Sequence, residues 1–143
     1  MPDAKPSVEL GSWEALRDEA IAIRYSVFVG EQLVPEDLEL DEFDPLSVHA
    51  LARDVDGGAI GTGRLLPDGH IGRMAVLPQA RGRGVGSALL LALMDEARRR
   101  GNREAVLNAQ VQAVSFYERH GYVVQGAPYD DAGIPHIAMR CRL

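Results

Sequence analysis

Apolar residues recur at helical spacing along residues 13–28. Trp13, Leu16, Ala20, Ile23 and Val27 form one stripe, and Arg17, Ile21, Arg24 and Phe28 lie on an adjoining face. This pattern predicts an amphipathic helix with Ser12 as its N-cap and Gly30 as its stop. A short strand at 8–10 precedes it. From residue 48 the period shortens to that of strands. Residues 48–55 and 59–66 read as an antiparallel pair joined by Asp56-Gly57-Gly58, and Pro67-Asp68-Gly69 turns the chain into a third strand at 70–77. Gly61 and Gly63 share one face of the middle strand with Leu65, which predicts close approach of another element there, and Arg64 points the other way with Ile60 and Thr62.

The second half alternates elements. An Ala- and Leu-rich helix over 87–100 ends in Arg98-Arg99-Arg100, which complement its negative end, before Gly101 stops it. A buried-type strand at 104–109, a short helix from Gln112 capped by Gly121 and a strand at 122–124 follow. Residues 126–135 are turn-rich, and 136–143 alternates with Ile137, Met139, Cys141 and Leu143 on one face. This order predicts an α+β fold, a sheet with helices on both faces.

The 143 residues suit one domain, 1–143, with no linker, repeat or low-complexity tract. A hydrophobic content of 46% and a charged content of 25% are ordinary for a globular chain. Cys141 is the only cysteine, there is no apolar leader and no run of membrane-spanning length, so a cytoplasmic location without membrane contact is expected. A net charge of −6 argues against nucleic acid as a partner. Seven of the 21 acids fall between Glu31 and Asp44, interleaved with Leu33, Leu38, Leu40 and Phe43. That segment reads either as a solvated acidic loop or as a cleft wall that attracts an amine.

The candidate chemistry centres on residues 74–87, where an apolar strand meets a glycine-rich loop and then a helix. Gly82, Gly84 and Gly86 lack Cβ atoms, so their N–H groups can close around an anion at a positive helix end, and Arg81 and Arg83 add charge. The cradle suits a pyrophosphate. No Lys-Ser/Thr pair follows the last glycine, as a P-loop requires. A dinucleotide fold would need glycine where Ser87 stands and an acid where Asn108 and Gln110 stand.

Arg81-x-x-Gly84-x-Gly86, placed just after an apolar strand, resembles the cradle of the GCN5-related N-acetyltransferases. A second motif some thirty residues on, Phe116-Tyr117-Glu118-x-x-Gly121-Tyr122, resembles that family's second signature. The resemblance runs from about His49 to the C-terminus. It implies a mixed, mostly antiparallel sheet with a splayed central strand pair, and direct acyl transfer from acetyl-CoA as cosubstrate to a small or peptidic amine. Cofactor contacts are implied for Met74, Ala75 and Val76, for Arg81, Gly82, Arg83, Gly84, Val85, Gly86 and Ser87, and for Gln110 and Tyr117. Among them the Met74 N–H would hold the acetyl carbonyl and stabilise its oxyanion, the Val76 backbone would hold the pantetheine amide, and Tyr117 would protonate the departing thiolate. Gln110 stands where many relatives carry Asn. Exposed final strands imply a homodimer.

The amine must lose a proton before it attacks, and Glu31, Glu39, Asp41, His49, His70 and His136 are the candidate bases, with Glu31, Glu39, Asp41 and Arg64 on the substrate side. Arg24-x-x-x-Phe28, Glu39-x-Asp41-x-x-Asp44 and Arg64-Leu65 resemble the acyl-homoserine-lactone synthases, which share the fold. Val27-Phe28-Val29-x-Glu31-Gln32 and Gly133-Ile134-Pro135-His136 resemble the ElaA-like acetyltransferases, over more of the chain. Arg24 and Arg64 pairing with Glu39, Asp41 or Asp44 to pin the acidic loop is a structural alternative. At the level of function, the alternatives are a lactone-synthase-like acyltransferase and a non-catalytic acyl-CoA sensor.

Overall fold

The computed structural model describes residues 6–36 and 40–143. Strands β1 (Ser7–Gly11), β2 (Val48–Arg53), β3 (Ala59–Leu65) and β4 (Ile71–Val76) form an antiparallel sheet in the order β1-β2-β3-β4. Strands β5 (Glu104–Gln110), β6 (Val123–Asp131) and β7 (Ile134–Arg142) form a second, in the order β5-β7-β6. The two sheets meet where His70 and Val106 form a parallel bridge and the Val106 N–H donates to the Gly69 carbonyl at 3.2 Å. Beyond that bridge β4 and β5 carry no ladder to each other among the described residues, so the central pair splays as the resemblance implied.

Helix α1 (Trp13–Arg24) starts at Ser12, whose hydroxyl accepts from the Ala15 N–H at 3.2 Å. Its buried stripe, Leu16, Ala20 and Ile23, packs with Val27 on Leu51 and Ala75. Helix α2 (Val85–Arg99) covers the opposite face, where Leu89, Leu90 and Leu93 pack with Ala50 and Ala52. Ala50 and Ala52 turn to one helix and Leu51 to the other, as strand alternation requires. A Cβ on Gly61 would lie 2.9 Å from Leu89 Cδ1 and 3.0 Å from Val85 Cγ1, so the close approach expected at this strand is made by α2. The short helix α3 (Val114–Glu118) follows β5.

Two expectations need correction. Gly30 does not stop the first helix: after α1 the chain continues in wider turns through Tyr25–Glu31, with the Gln32 N–H reaching back to the Val27 carbonyl at 2.9 Å. Leu33, with φ 61°, ends the run. Tertiary partners, Arg81 on Glu31 and Gln110 on Gln32, hold its far end, and local propensity does not register them. Residues 126–131 are not loop but the second half of β6. The register shift between Gln125 and Tyr129 absorbs Gly126 and Pro128. Proline is tolerated there because β6 is an edge strand, exposed along its whole length.

Candidate active site

A bulge in β4 shapes the site. Arg73 and Met74 together stand opposite the single residue Gly63, and Arg73 takes a left-handed backbone with φ 50°. A Cβ on Gly63 would fall 2.7 Å from Met74 Sδ, so only glycine leaves room for the bulged Met74. Past the bulge the Leu77 N–H donates to the Ile60 carbonyl at 2.9 Å. Antiparallel alternation sends Ala75 the same way and turns the N–H groups of Met74 and Val76 toward the gap facing β5. These are the two backbone donors that the resemblance singled out.

The gap widens into a cavity of about 590 Å³ whose walls include Met74, Ala75 and Val76 of β4, Asn108 and Gln110 of β5, Tyr117 of α3 and His136 of β7. Tyr117 is held edge-on between aromatic neighbours, with ring centroids 5.0 Å from Phe116 and 5.9 Å from Tyr122. Burial pushes its phenol up to about 12, so it carries its proton at neutral pH. Gly121, with φ 91°, turns the chain after α3 and brings Tyr122 back beneath Tyr117.

A second cavity of about 370 Å³ opens at the N-terminus of α2, lined by Val76, Arg81, Gly82, Gly84, Val85, Gly86, Ser87, Phe116 and Arg119. Gly82 and Gly84 have φ 77° and 79°, backbone that side-chain-bearing residues rarely adopt, and Gly84 caps α2. At Gly86 an added Cβ would sit 3.4 Å from Phe116 Cζ, so this glycine keeps the floor of the cradle open. The fifteen-residue helix behind it supplies unpaired N–H groups and a positive end. Arg119 was not singled out in the sequence, and Phe116 was named only within the second motif, not as part of the cradle. Their signal was their place on the helix of the second motif.

The cradle arginines already have partners. Arg81 forms a two-pronged pair with Glu31 at 2.8 and 2.7 Å while its Nε donates to the Val76 carbonyl at 3.0 Å, and Arg83 holds Asp54 at 3.2 and 2.9 Å. Both pairs are exposed, so a phosphate can replace the carboxylates at little cost. Hydrogen bonds from Arg81 keep Glu31 below the usual carboxylate range, and Glu31 does not line the large cavity. Glu31 is thus the partner of Arg81.

The acidic segment is anchored from inside. Arg24 meets Asp44 at 2.8 and 3.2 Å, Arg64 bonds Asp41 at 2.7 and 2.9 Å and Asp44 at 2.8 Å, and Arg73 reaches Asp41 at 3.2 Å. Arg24 also stacks over Trp13, 5.4 Å from its ring centroid. Burial pushes the Asp41 and Asp44 carboxyls up, but the arginine hydrogen bonds and charges outweigh it and the net shift is downward. The residues that resemble the lactone synthases are therefore committed to one another, which realises the structural alternative. Of the expected substrate residues, Arg64 lines the cavity, Asp41 is tied to Arg64 and Arg73, and Glu39 lies outside the described residues.

The histidines separate cleanly. His49 is fully buried, donates from Nε2 to the Asp44 carbonyl at 2.9 Å and does not face the cavity. Its Nδ1 and the Nε of Arg64, on directly opposed residues of β2 and β3, form an acceptor and a donor that are both left over. His70 lines the cavity at the closed end of the gap, with Nδ1 2.9 Å from Asp68 Oδ1. His136 lines it from β7. The Gln110 amide, the expected cofactor contact, donates to Gln32 at 2.8 Å and accepts from Gln112 at 2.9 Å.

A splayed strand pair, free strand N–H groups along it and a glycine cradle at the adjoining helix end make a slot for a long phosphate-bearing thioester. Residues 13–143 match the family model for the acetyltransferase (GNAT) domain. The chain belongs to the GNAT acetyltransferases, and it is an enzyme of that class. The chain is 42% identical over 130 residues to the uncharacterized N-acetyltransferase YjcF of Bacillus subtilis, covering 88% of this chain and 91% of that one. Among solved structures, an acyl-CoA N-acyltransferase from Pseudomonas aeruginosa aligns with a TM-score of 0.85 at 29% identity, covering 96% and 99% of the two chains. Escherichia coli ElaA aligns with a TM-score of 0.84 at 23% identity over 95% and 99%, a likeness of fold. Among the described residues of this GNAT chain no helix is long and apolar enough to cross a membrane, and no cluster of side chains is arranged to hold a metal.

Proposed function

We propose that the protein transfers the acetyl group of acetyl-CoA directly to a primary amine, in the cytoplasm and with no covalent enzyme intermediate. The observation that carries this reading is the outward turn of the Met74 and Val76 N–H groups, across the gap from the proton-bearing Tyr117. In it the Met74 N–H meets the acetyl carbonyl oxygen and stabilises the negative charge that develops there. The Val76 backbone takes the pantetheine amide, and the N–H groups from Gly82 to Ser87 take the pyrophosphate. Arg81 and Arg83 exchange a carboxylate for a phosphate, Arg119 adds a third cation, and Tyr117 gives its proton to the departing sulfur. The amine enters the large cavity from the side of Arg64, His70 and His136. The lone cysteine, Cys141, supports a reducing compartment and, buried at the end of β7 away from both cavities, has no place in the transfer.

Isothermal titration with acetyl-CoA tests the reading. Wild-type protein binds, and Gly84→Asp, which puts a negative charge and a side chain on a left-handed backbone in the cradle, loses binding at least tenfold. Equal binding by both proteins, or by neither, would remove the cradle from the function.

A further inference from the structure

Strand β7 sets His136 directly opposite Gln110 of β5 and Tyr129 of β6. Opposed residues share a sheet face, so His136 looks into the large cavity with Gln110 while its neighbour Ile137 is turned into the core. The Nδ1 atom of His136 lies 2.7 Å from the Ile134 carbonyl oxygen. A carbonyl oxygen accepts only, so the proton of the neutral ring resides on Nδ1 and the lone pair on Nε2. The Tyr129 ring stacks on the imidazole at 6.1 Å, with the planes 28° apart, and fixes its plane. A backbone carbonyl and an aromatic ring thus settle both tautomer and orientation, with no mobile carboxylate involved.

We propose that His136 is the general base of the transfer, which rests on the acetyl-transfer reading above. Among the described residues, the other candidates are engaged or misplaced. Glu31 does not line the large cavity, Asp41 is bound to Arg64 and Arg73, and His49 is sealed in the core. Arg64, Arg73 and Arg81 face the same cavity but are cations, and Tyr117 keeps its proton. Asp131 is exposed at the end of β6, and His70 stands where β4 and β5 still touch, four residues short of Met74.

His136 Nε2 takes one proton from the ammonium group, and the freed lone pair forms the N–C bond to the acetyl carbon. The C–S bond breaks with its electron pair on sulfur, and sulfur takes the Tyr117 proton. The surplus proton on the new amide nitrogen restores Tyr117, and His136 releases its own to solvent.

Two amines separate base catalysis from packing: n-butylamine, which is protonated at neutral pH, and methoxyamine, which is not. With n-butylamine, His136→Gln loses on the order of 10²- to 10⁴-fold in kcat and leaves the KM for acetyl-CoA unchanged, while with methoxyamine it stays close to wild type. Equal loss with both amines, or loss in His70→Gln without loss in His136→Gln, overturns the assignment. Independently of any acceptor, the ring ¹⁵N shifts of His136 at mildly alkaline pH should show protonated Nδ1 and bare Nε2; the opposite tautomer also overturns it. If wild-type protein fails to bind acetyl-CoA in the titration, the acetyl-transfer reading falls and the role of His136 falls with it, a result distinct from binding without a His136 effect.

Discussion

Arg81 and Glu31, fifty residues apart, close a two-pronged ion pair at 2.8 and 2.7 Å. The pair joins the end of the first helical segment to the glycine cradle, and it occupies the guanidinium that a pyrophosphate would use. A carboxylate therefore competes with the cosubstrate for one cation. Glu31→Gln removes the competitor, and acetyl-CoA should bind about two- to fivefold more tightly, the scale of an exposed pair. Titration calorimetry at low and high salt checks this, because salt should shrink the difference between the two proteins.

Tyr117→Phe keeps the edge-on ring contacts with Phe116 and Tyr122 and deletes only the proton donor. The expected outcome is a fall in kcat of roughly 10²-fold or more with acetyl-CoA affinity unchanged. Single-turnover kinetics show whether the loss lies in the chemical step. An unchanged single-turnover rate would take the general-acid role from Tyr117.

Arg24→Ala takes from Asp44, whose side chain is 2% exposed, the two-pronged partner at 2.8 and 3.2 Å and leaves Arg64 at 2.8 Å to offset part of the loss. Removing one member of a buried pair costs about 3–5 kcal/mol, so the urea midpoint should fall sharply. Arg24→Lys should recover little, since an ammonium cannot make the two-pronged contact or the stacking on Trp13.

Stability should fall with acid in two windows. Burial lowers the His49 imidazole, so below about pH 6.5 the unfolded chain binds a proton that the folded chain refuses, and stability declines as pH drops. Asp41 and Asp44 are net lowered by their arginines, so a second loss begins as pH falls below about 4, where the unfolded carboxylates take protons first. Denaturant midpoints measured from neutral to acid pH check both windows. His49→Gln should flatten the upper one and leave the lower one in place.

Gly61→Val drives a branched side chain into Leu89, Val85 and the Ala75 carbonyl, which would stand 2.9, 3.0 and 3.3 Å from the first added carbon. The carbonyl cannot give way as side-chain ends can, and overpacking of this kind costs about 1–3 kcal/mol. Thermal unfolding should show the loss. An unchanged Tm would mean that α2 sits farther from the sheet than the structure places it.

Much of this was legible because it is local. The Ser12 cap, the α1 stripe, the hairpin turn at 56–58 and the glycines of the cradle each follow from residues within a few positions of one another. The α+β order and the close approach at Gly61 and Gly63 followed from period and from missing Cβ atoms. Local pattern misleads where a distant partner decides local structure. Gln32 and Glu31 hold a helical run past Gly30, and β7 turns residues 126–131 into strand despite Gly126 and Pro128.

The same division holds in the site. By itself the sequence determined that a glycine-rich helix start follows an apolar strand, and that a tyrosine-bearing helix comes one strand later, because backbone freedom and hydrophobic period are written in neighbouring residues. Only the tertiary structure decided that Arg24, Asp41, Asp44 and Arg64 neutralise one another, that Glu31 answers to Arg81, and that His136 faces the cavity with its Nδ1 held by the Ile134 carbonyl. Charge and hydrogen-bonding partners act over a few ångströms of space, and the packing of the two sheets, not distance along the chain, sets which groups lie within that reach.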